Sequence, residues 1–226
     1  MPVITLASPK GGCGKSTTAL VLATTLAAQG ARVSLLDCDP NQPLVTWAQG
    51  GSASSVTVIG GIAESQILTV IDAERVERQY VIIDLEGAAT RLQSRAIMRS
   101  DLVLVPVAPT ALDAAQAARA VALVQEEEQA IGRPIAVRIC FNRTSPQIAT
   151  RAEKAIVEEL RAAGVPVLKT HLNMRAAFAS LFAYRCALDE LDPALVNGVD
   201  KAVENAQAFT GEIIALLGEQ GRRAAA

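Results

Sequence analysis

The sequence is poor in aromatic residues, has a single histidine and contains no long apolar segment. Phe, Trp and Tyr make up only 3% of its 226 residues while hydrophobic residues of all kinds make up 50%, so aliphatic side chains must fill the core. No apolar run approaches the ~20 residues that span a bilayer. The first residues also lack the basic and long apolar regions of a signal peptide. We therefore expect a cytoplasmic protein.

Closely paired cysteines are also missing. The four cysteines, Cys13, Cys38, Cys140 and Cys186, lie far apart and form no Cys-x-x-Cys pair. Their spacing supports neither a zinc site nor a disulfide framework. The one histidine, His171, has no identifiable partner acid or nucleophile, so we expect a structural role for it.

Apolar runs alternate with helical segments from the first residue onwards. The runs are continuous rather than alternating in polarity, which is typical of parallel strands covered by helices on both faces. We predict strands at 3–7, 32–37, 55–59, 80–85, 102–107, 135–141 and 165–168. We predict helices at 15–28, 62–78, 90–99, 111–131, 147–162, 173–187 and 197–218. The expected fold is α/β, with a doubly wound, mostly parallel sheet.

The length and composition favour a single domain. A chain of 226 residues can bury one sizeable core, and no low-complexity linker or composition break divides it. We expect one domain over residues 1–220 and a short disordered tail at 221–226.

A glycine-rich segment, KGGCGKST at residues 10–17, follows the first predicted strand and opens the first predicted helix. Backbone N–H groups in such a turn converge on phosphate oxygens, and the helix N-terminus adds partial positive charge. Lys15 would lie along the β- and γ-phosphates, and the Ser16 hydroxyl would join a Mg²⁺ shell. The segment has Pro9 where an ordinary phosphate loop has glycine, and it has a second lysine, Lys10. The other candidate ATP-binding residues are Gly11, Gly12, Cys13, Gly14 and Thr17.

Acidic residues stand at the ends of two later predicted strands. Asp37 and Asp39 are two residues apart on an extended segment and therefore point the same way. Asp84 follows four apolar residues, an arrangement in which the acid holds Mg²⁺ through water. Together with the phosphate loop, these three carboxylates predict a nucleotide and Mg²⁺ site.

These motifs resemble those of the ParA/MinD family of deviant Walker A ATPases. The resemblance implies a P-loop NTPase fold and a homodimer that forms with ATP, with Lys10 reaching the partner's ATP. It gives Asp39 a role in orienting the attacking water, and it gives Asp37 a place in the outer metal shell. It matches Asn142 to the residue that reads the adenine edge. In small members a Trp-Ala pair, here Trp47 and Ala48, begins the next helix.

The chain departs from the family pattern at two positions. Asn41 stands where many members have glutamine, and Glu86 stands in the stretch after Asp84 where members usually have Asp-x-Pro-Pro-Gly. Glu86 either makes a local polar contact or changes the hydrolysis rate, and the sequence leaves both readings open.

The second half of the chain is locally basic although the net charge is −2. Residues 138–188 contain eight Lys or Arg against three Asp or Glu. ParA-type proteins bind DNA without sequence preference through basic residues in this region once ATP has closed the dimer, and such binding weakens steeply with salt. The alternative is a set of solvated surface charges. The candidate DNA-binding residues are Arg143, Arg151, Lys169, Arg175 and Arg185.

The resemblance favours a role in DNA partition, with a ParB-like protein as activator. A similar branch assists conjugal DNA transfer and shares the D-x-N-x-P-L-x-x-W run from Asp39 to Trp47. A positioning ATPase with a protein complex as cargo would have the same ATPase motifs. Iron–sulfur carriers of the superfamily need paired cysteines, which are missing. Membrane binding of the MinD kind needs a basic amphipathic C-terminal helix, whereas residues 211–220 contain no Lys or Arg.

Overall fold

The computed structural model describes residues 1–87, 90–145 and 150–224 and contains one parallel seven-stranded sheet. The strands are β1 (Val3–Leu6), β2 (Val33–Cys38), β3 (Thr57–Ile59), β4 (Tyr80–Leu85), β5 (Leu102–Val107), β6 (Ala136–Thr144) and β7 (Leu172–Asn173). Their order across the sheet is β3-β2-β4-β1-β5-β6-β7. The predicted fold class is confirmed.

Eight α-helices connect or follow these strands in the described part of the chain. They are α1 (Lys15–Ala28), α2 (Pro43–Ala48), α3 (Ile67–Glu77), α4 (Arg91–Arg99), α5 (Ala111–Ile131), α6 (Arg151–Ala162), α7 (Ala176–Tyr184) and α8 (Val199–Ala224). Thr90, Thr110 and Thr150 begin α4, α5 and α6, and each side chain accepts a backbone N–H from the first turn of its helix. Within the described ranges, no helix combines the length and the apolar character needed to cross a membrane.

Each face of the sheet is covered by its own group of helices. One apolar cluster joins the sheet to α1, α2, α7 and α8, with Leu20 and Phe209 fully buried. The other joins it to α3, α4, α5 and α6, with Ile97 and Val124 fully buried. Because successive side chains of a strand point to opposite faces, both sets of positions must be apolar. This explains the continuous apolar runs in the sequence.

The last predicted strand is wrong. Within 165–168 only Val167 bridges to the sheet, opposite Ile139, and the seventh strand lies later, at Leu172–Asn173. Pro166 has no N–H to donate to a ladder, although its carbonyl accepts the Ile139 N–H at 2.8 Å.

Three helix boundaries can also be compared with those predicted from the sequence. Trp47 and Ala48 end α2 rather than beginning a helix, because Pro43 starts it. The helix α8 continues to Ala224, through most of the segment expected to be a disordered tail. Arg222 lies near its C-terminus, where a basic side chain favours the helix dipole. The helix predicted at 147–162 is α6, and the start of its predicted range, 147–149, lies outside the described residues.

The sheet topology brings the motif-bearing segments to one edge. The connections from β1 and β5 leave on opposite sides of the sheet centre, which is where open α/β sheets bind ligands. Asp37 on β2 and Asp84 on β4 are direct register partners, and Leu6, at the end of β1, is the partner of Asp84 on the other side. The phosphate loop therefore begins beside both acids.

Candidate nucleotide and magnesium site

The phosphate loop needs its glycines for both conformation and space. Gly12 and Gly14 adopt left-handed backbone angles, with φ of 73° and 96°, which side chains disfavour. A Cβ on Gly14 would also lie 2.6 Å from the Asn142 amide nitrogen. The helix α1 then begins at Lys15, so its free N–H groups face the loop.

The two lysines of the loop point to different places. Lys15 is buried, and its Nζ donates to the Lys10 carbonyl at 3.1 Å. The Cys13 thiol donates to the same carbonyl at 3.3 Å, which ties that buried sulfur to the loop. The Lys10 side chain, by contrast, is 45% exposed and reaches out to Asp113. The loop thus holds one lysine inward and one outward.

Asp113, in the first turn of α5, forms an ion pair with Lys10. Lys10 Nζ lies 2.7 Å from Asp113 Oδ1, and the Thr110 hydroxyl donates to Oδ2 at 2.8 Å. Burial opposes ionisation of Asp113, but the hydrogen bonds from Lys10 and Thr110 outweigh it and hold the pKa of that carboxyl below its usual value. Asp113 is not among the site residues predicted from the sequence, although it ends a run at 102–113 that resembles a family stretch and has the Thr-x-x-Asp spacing typical of a helix cap.

Asp84 is a buried carboxylate, and among the described residues neither of its oxygens has a hydrogen-bond partner. Burial raises its pKa to about 7; the nearby Ser16 hydroxyl opposes the shift, Asp37 adds to it and the Lys15 ammonium opposes it. A bare buried carboxylate is costly unless a cation compensates it. Asp84 and Ser16 therefore fit a Mg²⁺ ion.

The protein supplies only part of such a shell. Across the described residues, no group of three or more His, Cys, Asp or Glu side chains is arranged to hold a metal. Mg²⁺ in nucleotide sites commonly keeps several waters and binds through one or two protein groups plus substrate phosphates.

Asp37 positions the helix α2. Its Oδ2 accepts the N–H groups of Leu44 at 2.8 Å and Val45 at 3.0 Å, and its Oδ1 accepts the Asp39 N–H at 3.2 Å. Burial raises the pKa of Asp37 despite these backbone hydrogen bonds, which lower it. Both oxygens are engaged with the backbone, and a place in the outer metal shell stays a prediction.

Asp39 accepts hydrogen bonds from Asn41, one of the two residues that depart from the family pattern. Asn41 donates to Asp39 Oδ1 through its backbone N–H at 2.8 Å and through its side-chain amide at 3.0 Å. Asp39 lines a cleft of about 290 Å³ together with Asp37 and Glu86. Glu86 therefore adds a carboxylate to the cleft that contains the predicted water-orienting residue.

The loop after β4 rests directly on the phosphate loop. A Cβ on Gly87 would lie 2.8 Å from the Gly11 nitrogen and 3.0 Å from the Lys10 carbonyl carbon. Ala88, which follows, lies outside the described residues.

Asn142 lies beneath the phosphate loop at the end of β6. Its amide nitrogen donates to Thr18 Oγ1 at 2.9 Å and to the Cys13 carbonyl at 3.3 Å, while its buried Oδ1 has no partner in the described part of the chain. The side chain therefore supports the loop. The unpaired acceptor is compatible with contact to an adenine amine, which stays a prediction.

The candidate DNA-binding residues come from separate elements. Arg143 has a left-handed φ of 57° and lies close enough to Asp113 to help lower the pKa of that carboxyl, which places Arg143 at the nucleotide edge. Arg151 is the first residue of α6, and Lys169 precedes β7. Arg175 and Arg185 flank α7. DNA contact by any of these residues stays a prediction.

Comparison with known proteins gives matches along almost the whole chain. Residues 1–188 match the VirC1 protein family. The sequence is 42% identical over 220 residues to Protein ParA of Rhizobium radiobacter, covering 97% of this chain and 99% of that protein. It is 27% identical over 179 residues to the Maintenance of carboxysome distribution protein A of Halothiobacillus neapolitanus, covering 77% and 81%.

A solved structure shares the fold. The MinD cell division protein of Aquifex aeolicus superposes with a TM-score of 0.70 at 17% identity, covering 93% of this chain and 98% of that one. The sequence matches confirm the resemblance to ParA/MinD ATPases.

Proposed function

Because the chain belongs to the VirC1 family, we propose that it is a ParA-type ATPase that dimerises with ATP and releases the dimer on hydrolysis. Its cargo is DNA, which it partitions or positions in the cytoplasm, and a ParB-like protein stimulates its turnover. Lys10, Lys15 and Asp39 are the catalytic residues, and Ser16, Asp37 and Asp84 serve the Mg²⁺ site.

The outward direction of Lys10 carries this proposal. A phosphate loop that bound ATP only within one chain would need only its inward lysine, Lys15. Lys10 is instead half exposed and reaches away from the loop to Asp113. It can therefore leave Asp113 and supply positive charge to a phosphate held by a partner protomer.

Each group of the site then has its own role in ATP binding and hydrolysis. The loop N–H groups and Lys15 bind the β- and γ-phosphates, and Ser16 and Asp84 would hold Mg²⁺, which neutralises phosphate charge. Asp39, fixed by Asn41, orients the attacking water. Lys10 of the partner protomer stabilises charge on the transferring phosphoryl group, as an arginine finger does.

Binding to nonspecific duplex DNA tests the cargo. Purified protein is titrated with DNA in ATP, in ADP and without nucleotide, each across a salt series. We expect salt-sensitive binding only with ATP, because binding through phosphate contacts releases counterions. Lys15→Ala is the control that should lose nucleotide binding and hence DNA binding. ATP-driven dimerisation without DNA binding at any salt would contradict a DNA cargo.

A protein complex is the second candidate cargo. The similarity to a protein named for maintaining carboxysome distribution favours it. The run from Asp39 to Trp47 keeps assistance of conjugal DNA transfer open as a variant of the DNA role. If ATP drives dimerisation without DNA binding, the protein-complex role becomes the preferred function.

A further inference from the structure

The short helix α2 connects the nucleotide site to a distant basic residue. It begins at Pro43, four residues after Asp39, and is followed within two residues of its end by Gly50. Its first turn is bonded to Asp37, and its far end contacts the segment that follows α7. This connection lies outside the catalytic chemistry described above.

The N-terminal end of α2 is hydrogen-bonded to the Asp37 carboxylate. A single oxygen, Asp37 Oδ2, accepts both the Leu44 and the Val45 N–H groups. On the side facing β3, Gly60 approaches so closely that a Cβ there would lie 2.3 Å from Val45 Cγ2. A shift of the Asp37–Asp39 segment therefore moves the start of α2 rather than being absorbed beside it.

The C-terminal end of α2 is fixed to the residues after α7. Trp47, 3% exposed, donates its indole N–H to the Cys186 carbonyl at 3.1 Å. Gly50 touches Arg185 so tightly that a Cβ would lie 2.0 Å from Arg185 Cβ and 2.9 Å from its carbonyl oxygen. Arg185 itself is exposed and has a left-handed φ of 51°. Arg185 is thus held at its backbone by the end of α2 and the residues that follow it, while the residue itself stays exposed.

We propose that α2 is a lever that carries the nucleotide state of the Asp37–Asp39 segment to Arg185 and so sets its affinity for DNA. The lever is short, bonded at both ends and anchored in the core by Leu44 and Trp47, so displacement at one end reaches the other. Packed interfaces of this kind switch between discrete arrangements rather than deforming gradually. The role at DNA rests on the proposed function, whereas the mechanical link does not.

Hydrogen exchange tests the link without DNA. The Cys186 N–H bonds to the Leu181 carbonyl at 3.3 Å and reports on the turn that contains Arg185. Exchange over residues 184–188 is compared with Mg²⁺ and either ADP or a non-hydrolysable ATP analogue. We expect the two nucleotides to give different exchange rates in the wild-type protein. Equal rates would overturn the lever.

Two variants break the far end of the lever without touching the phosphate loop. Trp47→Phe removes the indole N–H that bonds to the Cys186 carbonyl, together with part of the buried ring, and Gly50→Ala introduces a methyl group where Arg185 leaves no room. Both should bind ATP normally and lose the nucleotide-dependent difference in exchange. Gly211→Ala is the matched control, because a Cβ there meets nothing within 4 Å. A full response in both Trp47→Phe and Gly50→Ala would also overturn the lever.

DNA titration of the same variants separates the two proposals. Allosteric couplings typically change an affinity by 5- to 150-fold. We expect the wild-type protein to bind DNA more tightly in ATP than in ADP by a factor in about that range. In both variants this factor should fall towards one. Wild-type protein that binds no DNA, with an intact exchange response, would refute the DNA role and retain the link. Variants that keep the wild-type ratio would refute the lever and retain the DNA role.

Discussion

At the scale of single residues, the site contains one charge without a partner and one charge pair that can separate. Within residues 1–87, 90–145 and 150–224, neither oxygen of Asp84 accepts a hydrogen bond, whereas Asp113 is bonded to both Lys10 and Thr110. The first is costly to the free protein, and the second stabilises it. Removing the Asp84 carboxylate should therefore stabilise the free protein, whereas removing the Asp113 carboxylate should destabilise it.

Asp84→Asn should stabilise the nucleotide-free protein by about 2 kcal/mol at neutral pH, because it removes a buried charge that has no partner. The folded pKa of about 7 exceeds the ordinary 3.8, so the stabilisation associated with protonated Asp84 is present below pH 3.8 and is lost as the pH rises through 7. Urea unfolding between pH 5 and 8 measures this loss, and the variant should lack it. ATP hydrolysis with Mg²⁺ should fall sharply. A variant less stable than the wild type at pH 8 would contradict this account.

Lys10→Ala and Asp113→Ala should have different effects on turnover. Lys10→Ala should still bind ATP but lose stimulated hydrolysis by about 10³-fold or more, as loss of an arginine finger does. Asp113→Ala releases Lys10 and should retain hydrolysis. Steady-state phosphate release from both variants, with ATP binding measured in parallel, distinguishes the two. Normal hydrolysis in Lys10→Ala would refute the role of Lys10 across the dimer.

At the scale of elements, the loop after β4 and the phosphate loop are in direct backbone contact. Gly87 provides this contact because it has no side chain, and any Cβ would collide with Gly11. A larger residue at position 87 would therefore displace the phosphate loop.

Gly87→Ala should lower the affinity for ATP by about tenfold or more, because the added methyl group displaces the backbone of the phosphate loop. Isothermal titration with ATP and Mg²⁺ measures the change. Gly218→Ala is the matched control, since a Cβ there has no neighbour within 4 Å. Equal affinity for ATP in the Gly87→Ala and Gly218→Ala variants would show that the contact between Gly87 and the phosphate loop does not matter for ATP binding.

The sequence predicts most elements because parallel strands and phosphate loops have strong local signals. The helix α5 has the predicted bounds, and the acids at 37, 39 and 84 lie where strand ends were expected. Contacts between distant segments have no such signal. Lys10 and Asp113 are 103 residues apart, and Trp47 and Cys186 are 139 apart. The short strand β7 was also misplaced, since two residues give no periodicity.

At the scale of the whole molecule, ATP should change the association state. Asp39→Ala should bind ATP without hydrolysing it and therefore accumulate as a dimer. Light scattering after gel filtration in ATP, with ADP as the control, measures the mass. A variant that stays monomeric in saturating ATP would remove Asp39 from the hydrolysis step.

The position of β1 in the sheet has a consequence for synthesis on the ribosome. The strand β1 lies between β4 and β5, and these two neighbours end at residues 85 and 107. β1 therefore cannot gain both partners until Val107 has emerged. Long-range parallel pairing of this kind slows folding. Until Leu85 has been made, the apolar strand β1 lacks both of its neighbours, and its exposed edges are open to pairing with other unfolded chains.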